Sequence, residues 1–365
     1  MKNVFGNNIT ITLFGESHGD FVGAVLDGVS PGVRVDREYI NAMLAQRRPK
    51  GKISTARVEC DEYTIASGVY EGYTTGTPIA ILIPNENKRS SDYSELVKTP
   101  RPSHADYTAA VKYHGYADPR GGGHFSGRVT APLVAAGAIL LSALKDKGIC
   151  IGTHISELHG TKDRGFENIP EDIRSLSSLE FPVLDEGCAK KMRGEIERAA
   201  ELGDSVGGVL ETAVYGMPAG VGEPWFDTLE GMLAHALLSV PGIKGIEFGL
   251  GFGFANLYGS EANDPFETDG ERIYTKTNHS GGINGGISNG MPIIFRSAVK
   301  PTPSIFREQR TVNRETMENT VISIVGRHDP AIIHRARIVI DAVTALVLAD
   351  ALVGRYGTDY LTSSK

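Results

Sequence analysis

Two segments that lie 184 residues apart have nearly the same sequence, and this echo constrains the fold more than any other feature of the chain. Residues 19–27 read GDFVGAVLD and residues 203–211 read GDSVGGVLE, and a Pro-Gly or Pro-x-Gly turn follows each copy. Repeats of 20–50 residues build solenoids, whereas this separation is about half of the chain. The echo therefore predicts an internal duplication with two related α/β halves. No linker or charge run divides them, so we expect one domain over residues 1–365.

Composition and apolar periodicity predict where strands and helices lie. Strands are predicted at 9–14, 22–27, 57–69 and 79–84, where β-branched and other apolar residues end at turn-forming residues. Asp36 is the expected N-cap of a helix that runs to Arg47 and stops before Pro49. Further helices are predicted at 106–114, 131–147, 188–202, 227–239 and 335–353. This alternation indicates sheets that pack against helices.

Three successive glycines stand at residues 121–123, inside a run from 118 to 130 that reads DPRGGGHFSGRVT. Glycine lets other groups approach the backbone closely, and Arg120, His124, Ser126 and Arg128 supply donors on both sides. An apolar helical pattern follows, and a helix N-terminus favours negative charge. We interpret the run as a phosphate or cofactor loop. The alternative is a flexible surface loop.

Three histidines stand in polar turns. His18 follows Ser17 in a glycine turn after the first predicted strand, His104 lies beside Arg101 and Asp106, and His328 precedes Asp329. Adjacent side chains rarely form a nucleophile–base pair, so Ser17 and His18 do not indicate a serine hydrolase. The three turns instead indicate one acid/base site. A structural role for each histidine is the alternative, and the spacing matches no zinc motif, so no metal is expected.

Charge and cysteine content exclude several classes of protein. The net charge of −7 argues against nucleic-acid binding, while arginines cluster in the first third of the chain, as in a pocket for a small, multiply anionic ligand. The three cysteines form no CxxC pair, which disfavours disulfides and structural zinc. The apolar segment 338–353 carries Asp341 and Asp350 and is too short to span a bilayer. We expect a cytoplasmic protein without membrane partners.

A second glycine-rich segment, residues 281–290, does not fit a dinucleotide-binding loop. No helix with an acidic residue about twenty positions on follows it, and the chain has no Gly-Lys-Ser/Thr sequence. A Rossmann dehydrogenase and a P-loop enzyme are therefore disfavoured. Taken alone, this segment is typical of a glycine hairpin.

Taken together, the motifs resemble the chorismate synthase family, in order, from about residue 6 to residue 355. The remainder, 356–365, is then a short C-terminal tail. The matching sequences are Gly15-Glu16-Ser17-His18-Gly19, Asp27-Gly28, Arg47-Arg48-Pro49, Ser67-Gly68-Val69, Thr74-Thr75-Gly76-Thr77-Pro78, Arg101-Pro102-x-His104-Ala105-Asp106-Tyr107, Arg120-Gly121-Gly122-Gly123, Ser126-Gly127-Arg128 and Gly326-Arg327-His328-Asp329-Pro330.

This resemblance implies a fold and an activity. The fold is α+β, a β-α-β sandwich, and the assembly is a homotetramer. The reaction is the 1,4-elimination of phosphate from 5-enolpyruvylshikimate 3-phosphate, which gives chorismate on the route to aromatic amino acids. Reduced FMN is required although no net redox change occurs. A substrate with a phosphate and two carboxylates explains the basic pocket in an acidic protein.

The resemblance also implies roles for individual residues. His18 serves the leaving phosphate, His104 favours the anion of the reduced flavin, and Asp329 and Ser17 relay a proton. Substrate anions are bound by Arg47, Arg48, Arg101 and Arg128. Flavin binding carries over to Arg47, His124, Phe125, Ser126, Pro241, Gly242, Gly285, Lys300, Pro301, Thr302, Pro303, Ser304 and Arg327.

The chain departs from the family pattern in places. Many members have Arg-Ser-Ser where it has His124-Phe125-Ser126, and Asp341 stands where glutamate is usual. Some members use NADPH to reduce their own flavin, but this sequence shows no added NAD(P)H module, so an external flavin reductant is the expected partner. The alternatives are another enzyme of a phosphorylated shikimate-like substrate and a non-catalytic flavin-binding protein.

Overall fold

Eighteen strands and eight helices lie in the part of the chain that the computed structural model describes, which is residues 2–49, 51, 53–54, 61–86, 98–324 and 328–363. The strands are β1 Val4–Phe5, β2 Thr10–Gly15, β3 Phe21–Asp27, β4 Thr64–Ile65, β5 Val69–Tyr70, β6 Tyr73–Thr74, β7 Ile79–Pro84, β8 Cys150–Leu158, β9 Thr161–Lys162, β10 Gly208–Tyr215, β11 Ile243–Phe248, β12 Phe266–Thr268, β13 Ile273–Thr275, β14 Ile283–Asn284, β15 Ile287–Ser288, β16 Ile293–Val299, β17 Gln309–Asn313 and β18 Glu318–Ile322. The helices are α1 Arg37–Arg47, α2 Asp106–Lys112, α3 Thr130–Asp146, α4 Ile169–Leu176, α5 Glu186–Glu201, α6 Leu229–Leu238, α7 Gly259–Ala262 and α8 Ile333–Tyr356.

Two five-stranded antiparallel sheets form the outer layers. The first has the order β1-β2-β3-β7-β4 and the second has the order β11-β16-β10-β8-β9. The two echoed segments thus lead into β3 and β10, which are the central strands of their sheets. In β7 the residues Ile79, Ile81 and Ile83 are buried and alternate with less buried ones, so one face of the first sheet points into the core.

Helices fill the space between the sheets. Helix α3 packs against β3 and β7, and α8 packs against β8 and β10. The two helices pack closely where Gly137 faces Ala342. A Cβ on Gly137 would lie only 2.4 Å from the Ala342 Cβ, so this close packing requires glycine. Both helices are buried nearly all round, as expected for helices in the middle of a layered core. The α+β sandwich expected from the sequence is confirmed in this arrangement.

One hydrophobic cluster runs from Ile9 to Leu361 and draws on both sheets and the helices between them. That the whole chain is one domain stays a prediction. Among the described residues, one helix, Gly127–Asp146, has the length and apolar composition that crossing a bilayer requires. However, 89% of its most apolar stretch is buried inside the protein. Buried core helices share this property. The apolar segment 338–353 lies in α8, which does not meet the same measure of length and composition.

Most predicted elements are present, and one prediction is wrong. Asp36 caps α1, because its side chain accepts a hydrogen bond from the Tyr39 amide at 3.0 Å. The predicted helices are found as α2, α3, α5, α6 and α8 with shifts of a few residues, while α4 and α7 were not predicted. The strand predicted at 57–69 is not continuous: residues 55–60 lie outside the described part, and Gly68 with φ +82° turns the chain between β4 and β5.

Candidate active site

The glycine run 121–123 lies against the turn that joins β2 to β3. Gly121, Gly122 and Gly123 have φ of 62°, 82° and 53°, which is the left-handed region that favours glycine. The Ser17 amide donates to the Gly123 carbonyl at 3.1 Å, and His124 Nδ1 donates to the Gly15 carbonyl at 2.8 Å. These bonds fasten the run to the turn that carries Ser17 and His18.

The two candidate catalytic histidines contact neighbouring glycines of this run. A Cβ on Gly121 would lie 2.3 Å from Nδ1 and Cε1 of His18, and a Cβ on Gly122 would lie 3.4 Å from Cε1 of His104. The close approach expected at the glycines is therefore made by the protein's own imidazoles. The run brings together two side chains that are far apart in the sequence.

The imidazole of His18 is buried and contacts the adjacent Ser17 side chain. Ser17 Oγ lies 3.2 Å from His18 Nδ1 and 3.1 Å from the carbonyl oxygens of Arg120 and Gly121. Carbonyls only accept, so the hydroxyl donates to them and accepts from Nδ1–H of His18. Ser17 is thus an orienting group rather than an activated nucleophile, and the proton of His18 is fixed on Nδ1.

His104 has a different environment. Asp106 accepts hydrogen bonds from His104 Nδ1 at 2.6 Å and from Nε and Nη2 of Arg101 at 2.7 Å each. Burial alone raises the pKa of Asp106, but the bonds from Arg101 and His104 outweigh burial and hold this pKa well below its usual range. Arg101 Nη2 also lies 3.0 Å from His104 Nδ1, so these three side chains form one cluster.

Three of the predicted substrate-binding arginines converge on one carboxylate. Asp61 accepts from Arg47 Nη2 at 2.9 Å and from Arg128 Nη1, and Arg48 Nε lies 3.9 Å away. Asn85 extends this cluster to the His18 turn: its Oδ1 accepts from Arg128 Nε at 3.0 Å, and its Nδ2 donates to the carbonyls of residues 16 and 19. The fourth arginine, Arg101, lies with His104 instead.

The predicted flavin segment 300–304 lies on the His104 side. Lys300 Nζ donates to the Ser103 carbonyl at 2.6 Å, and its amide donates to the Gly242 carbonyl at 2.9 Å, next to Pro241. Arg101 Nη1 donates to Ser304 Oγ at 3.3 Å, and Thr302 Oγ1 donates to the Asp329 carbonyl at 2.6 Å. Pro301 and Pro303 complete this segment, which therefore connects His104 with Asp329.

The remaining predicted residues have other partners. Asp329 pairs with Arg335 at the start of α8. Phe125 is partly exposed and meets Tyr113 edge-on at 6.1 Å, and Ser126 caps the turn at 127–129. Gly285 lies in the hairpin of β14 and β15, and no hydrogen bond among the described residues ties it to the histidines. Arg327 lies outside the described residues.

The donor set fits an anionic cofactor. Burial and the like charge of Lys244 lower the pKa of Lys300, so a bound phosphate would relieve the repulsion between the two lysines. In the same segment the Thr302 hydroxyl donates to the Asp329 carbonyl, and the Ser304 hydroxyl accepts from Arg101. Among the described residues, no group of three His, Cys, Asp or Glu side chains could hold a metal ion.

Sequence reasoning did not assign Asp61, Asn85 or Asp106 to the site. Asp106 had a local signal, since it stands two residues from His104. No neighbouring residue in the sequence points to Asp61 or Asn85, because their partner Arg128 is 67 and 43 residues away. Asp341 stands apart from the site. It is buried in α8, where burial raises its pKa to about 6 and Thr153 Oγ1 donates to it at 2.6 Å.

Comparison with known proteins gives a consistent result. The family model described as chorismate synthase matches residues 9–353. Proteins named chorismate synthase include relatives from Thermococcus gammatolerans, 45% identical over 96% of this chain and 97% of that protein, and from Lachnoclostridium phytofermentans, 47% identical over 96% and 94%.

A solved structure agrees with the sequence relatives. The chain superposes on one titled "Crystal Structure of Chorismate Synthase" with a TM-score of 0.75 and 29% identity, covering 97% of this chain and 94% of the other. The family expected from the motifs is thereby confirmed. The chain belongs to the chorismate synthase family.

Proposed function

We propose that the site around residues 121–123 carries out the family reaction, elimination of phosphate from 5-enolpyruvylshikimate 3-phosphate to give chorismate. As a member of this family, the chain is a carbon–oxygen lyase of the shikimate pathway. One observation carries the assignment of roles: His18 and His104 lie against adjacent glycines and have different partners. Two imidazoles in unlike environments at one place suit two different tasks.

His18 protonates the leaving phosphate in this proposal. With Nδ1–H held by Ser17, the protonated imidazole of His18 gives its Nε2 proton to the phosphate oxygen and becomes neutral. Ser17 and Asp329 relay the proton that leaves C6 of the substrate to the neutral His18, which restores its protonated form. Arg47, Arg48, Arg101 and Arg128 bind the phosphate and the carboxylates, because guanidinium groups bind such anions through paired hydrogen bonds.

Reduced FMN is the proposed cofactor, and when bound it supplies transient electron density to the elimination. Lys300 and Lys244 are suited to its phosphate, and His104, whose Nδ1 lies 2.6 Å from Asp106, is assigned to favour an anionic ring beside it. The other residues proposed to hold it are Arg47, His124, Phe125, Ser126, Pro241, Gly242, Gly285, Pro301, Thr302, Pro303, Ser304 and Arg327.

We also propose a homotetramer in the cytoplasm that receives reduced flavin from an external reductant rather than from its own NADPH reaction. Exposed aromatic side chains support assembly: Trp225, Phe226, Phe252 and Tyr258 are each more than 80% exposed in the single chain. Free Cys150 and Cys188 suit a reducing compartment. Nucleic acid and membranes are not proposed as partners.

The test separates the two histidines. His18→Ala should lower kcat by about 10²–10⁴-fold and leave FMN affinity near that of the unaltered protein. His104→Ala should change the absorbance or pKa of the bound reduced flavin. His159→Ala, at an exposed turn, is the control.

Equal losses of folding stability in the His18 and His104 variants, with activity kept, would show that the histidines are structural. Adding the substrate under anaerobic reduction should change the flavin spectrum. No spectral change despite phosphate release would favour another enzyme of a shikimate-like phosphate, and flavin binding without any turnover would favour a binding protein.

A further inference from the structure

Asp61 occupies the centre of the arginine cluster. Its side chain is 0% exposed, and the side chains of Arg47 and Arg128 that contact it are 6% and 5% exposed. Arg48, the third member, is 35% exposed. Two guanidinium groups that the reaction needs for an anionic substrate are thus already facing a carboxylate of the protein.

Arg128 is held in place without Asp61. Its Nε donates to Asn85 Oδ1 at 3.0 Å and its Nη2 donates to the Pro84 carbonyl at 3.0 Å. Asp61 is therefore not needed to orient Arg128, and its contribution there is mainly its negative charge. The backbone of Asp61 has φ +49°, a conformation that costs free energy for a residue other than glycine.

We propose that Asp61 is an internal counter-anion that keeps the arginine cluster closed until an anionic group of the substrate takes its place. A buried guanidinium is costly without a negative partner, and Asp61 supplies such a partner to Arg47 and Arg128. The substrate must then compete with Asp61 for Arg47 and Arg128. This competition weakens binding and helps release of the phosphate product.

The inference rests on the proposed function, because it takes the substrate to be the anion that binds these arginines. It predicts that one substitution, Asp61→Asn, strengthens the binding of anions. Asp61→Asn keeps the shape and one acceptor oxygen but removes the competing charge. The variant should bind 5-enolpyruvylshikimate 3-phosphate and inorganic phosphate on the order of ten-fold more tightly than the unaltered protein. Product release should slow, so kcat should fall together with KM.

The experiment measures both dissociation constants by calorimetry for the unaltered protein, for Asp61→Asn and for Asp172→Asn. Asp172 is the matched control, since it pairs with Arg164 at 2.6 Å on α4, outside the proposed site. The affinity of the Asp172→Asn variant for phosphate should equal that of the unaltered protein. Equal or weaker binding by Asp61→Asn overturns the proposal, because a carboxylate that merely positions the arginines gives that result.

A second measurement covers the case in which Asp61→Asn does not fold. In a crystal structure of the unaltered protein with phosphate bound at the arginines, the contact between Asp61 and Arg128 should be open, beyond 4 Å. A closed contact with phosphate bound there overturns the proposal. Absence of turnover by the unaltered protein is a different result, which would contradict the proposed function instead.

Discussion

Replacing Gly121 by alanine tests the arrangement of the site through one methyl group. The new Cβ would lie 2.3 Å from Nδ1 and Cε1 of His18 and 2.6 Å from Ser17 Oγ. Ordinary carbon contacts are about 3.5–4.0 Å, so the imidazole must move by roughly 1 Å or more. His18 is buried and bonded to Ser17, so this movement also breaks the orientation of its Nδ1 proton.

The size of the effect follows from that displacement. A misplacement of about 1 Å in a catalytic site costs about 10²-fold in rate, so kcat of Gly121→Ala should fall by at least this factor. The left-handed backbone adds a stability cost of about 1–2 kcal/mol for any residue with a Cβ. Gly148→Ala is the control, because Gly148 has φ +80° and its Cβ would meet no atom within 4 Å.

The assay is anaerobic phosphate release, with urea unfolding to measure stability. Both variants should lose about 1–2 kcal/mol of unfolding free energy from backbone strain, and only Gly121→Ala should lose activity. A Gly121→Ala protein with kcat near that of the unaltered protein would refute the contact between the glycine run and His18 as a requirement for catalysis.

Three further results are expected. Asp106→Asn should shift the pKa of the bound reduced flavin, because it removes a negative charge that contacts both His104 Nδ1 and Arg101; a spectroscopic pH titration measures this, and an unchanged pKa contradicts it. Arg48→Ala should weaken substrate binding by about 1–3 kcal/mol in calorimetry, the usual value of a charge-assisted contact, whereas unchanged binding would remove Arg48 from the site. Asp163→Asn should destabilise the fold most between about pH 4 and pH 6.5 in urea unfolding, and a deficit independent of pH would contradict the ion pair with His154.

The sign of the last effect follows from the two pKa shifts. Burial lowers the pKa of His154, but bonds to Asp163 and Glu211 outweigh burial and raise it, so this stabilisation is complete below the unfolded pKa and is lost as pH rises through the folded one. Burial raises the pKa of Asp163, but its hydrogen bonds outweigh burial and lower it, so this stabilisation is lost as pH falls. Both contributions are fully present together only between the unfolded pKa of Asp163 and the unfolded pKa of His154.

The sequence predicts local features well because their causes are local. The Asp36 cap and the long apolar patterns of α3 and α8 need only neighbouring residues, and the echo correctly marks the two central strands. The strand predicted at 57–69 fails because the left-handed turn at Gly68 interrupts it. Helix α4 has only eight residues, which is shorter than the stretch of about 11–18 residues over which a helical pattern is recognised.

The site was predictable residue by residue but not as an arrangement. The glycine run and both histidines stand out in the sequence, yet nothing local shows that Gly121 meets His18 while Gly122 meets His104. The pairing of Arg128 with Asp61 and Asn85 likewise depends on how β7 ends beside the start of α3. Such contacts are set by sheet topology and become visible only in three dimensions.

The most direct test of the account is anaerobic turnover of 5-enolpyruvylshikimate 3-phosphate by this protein with reduced FMN, alongside the same mixture with oxidised FMN in air. We expect phosphate and chorismate in equal amounts with reduced FMN, a rate at least about 10²-fold lower for His18→Ala, and no phosphate release with oxidised FMN. Phosphate release at the same rate with oxidised FMN, or without flavin, would contradict it.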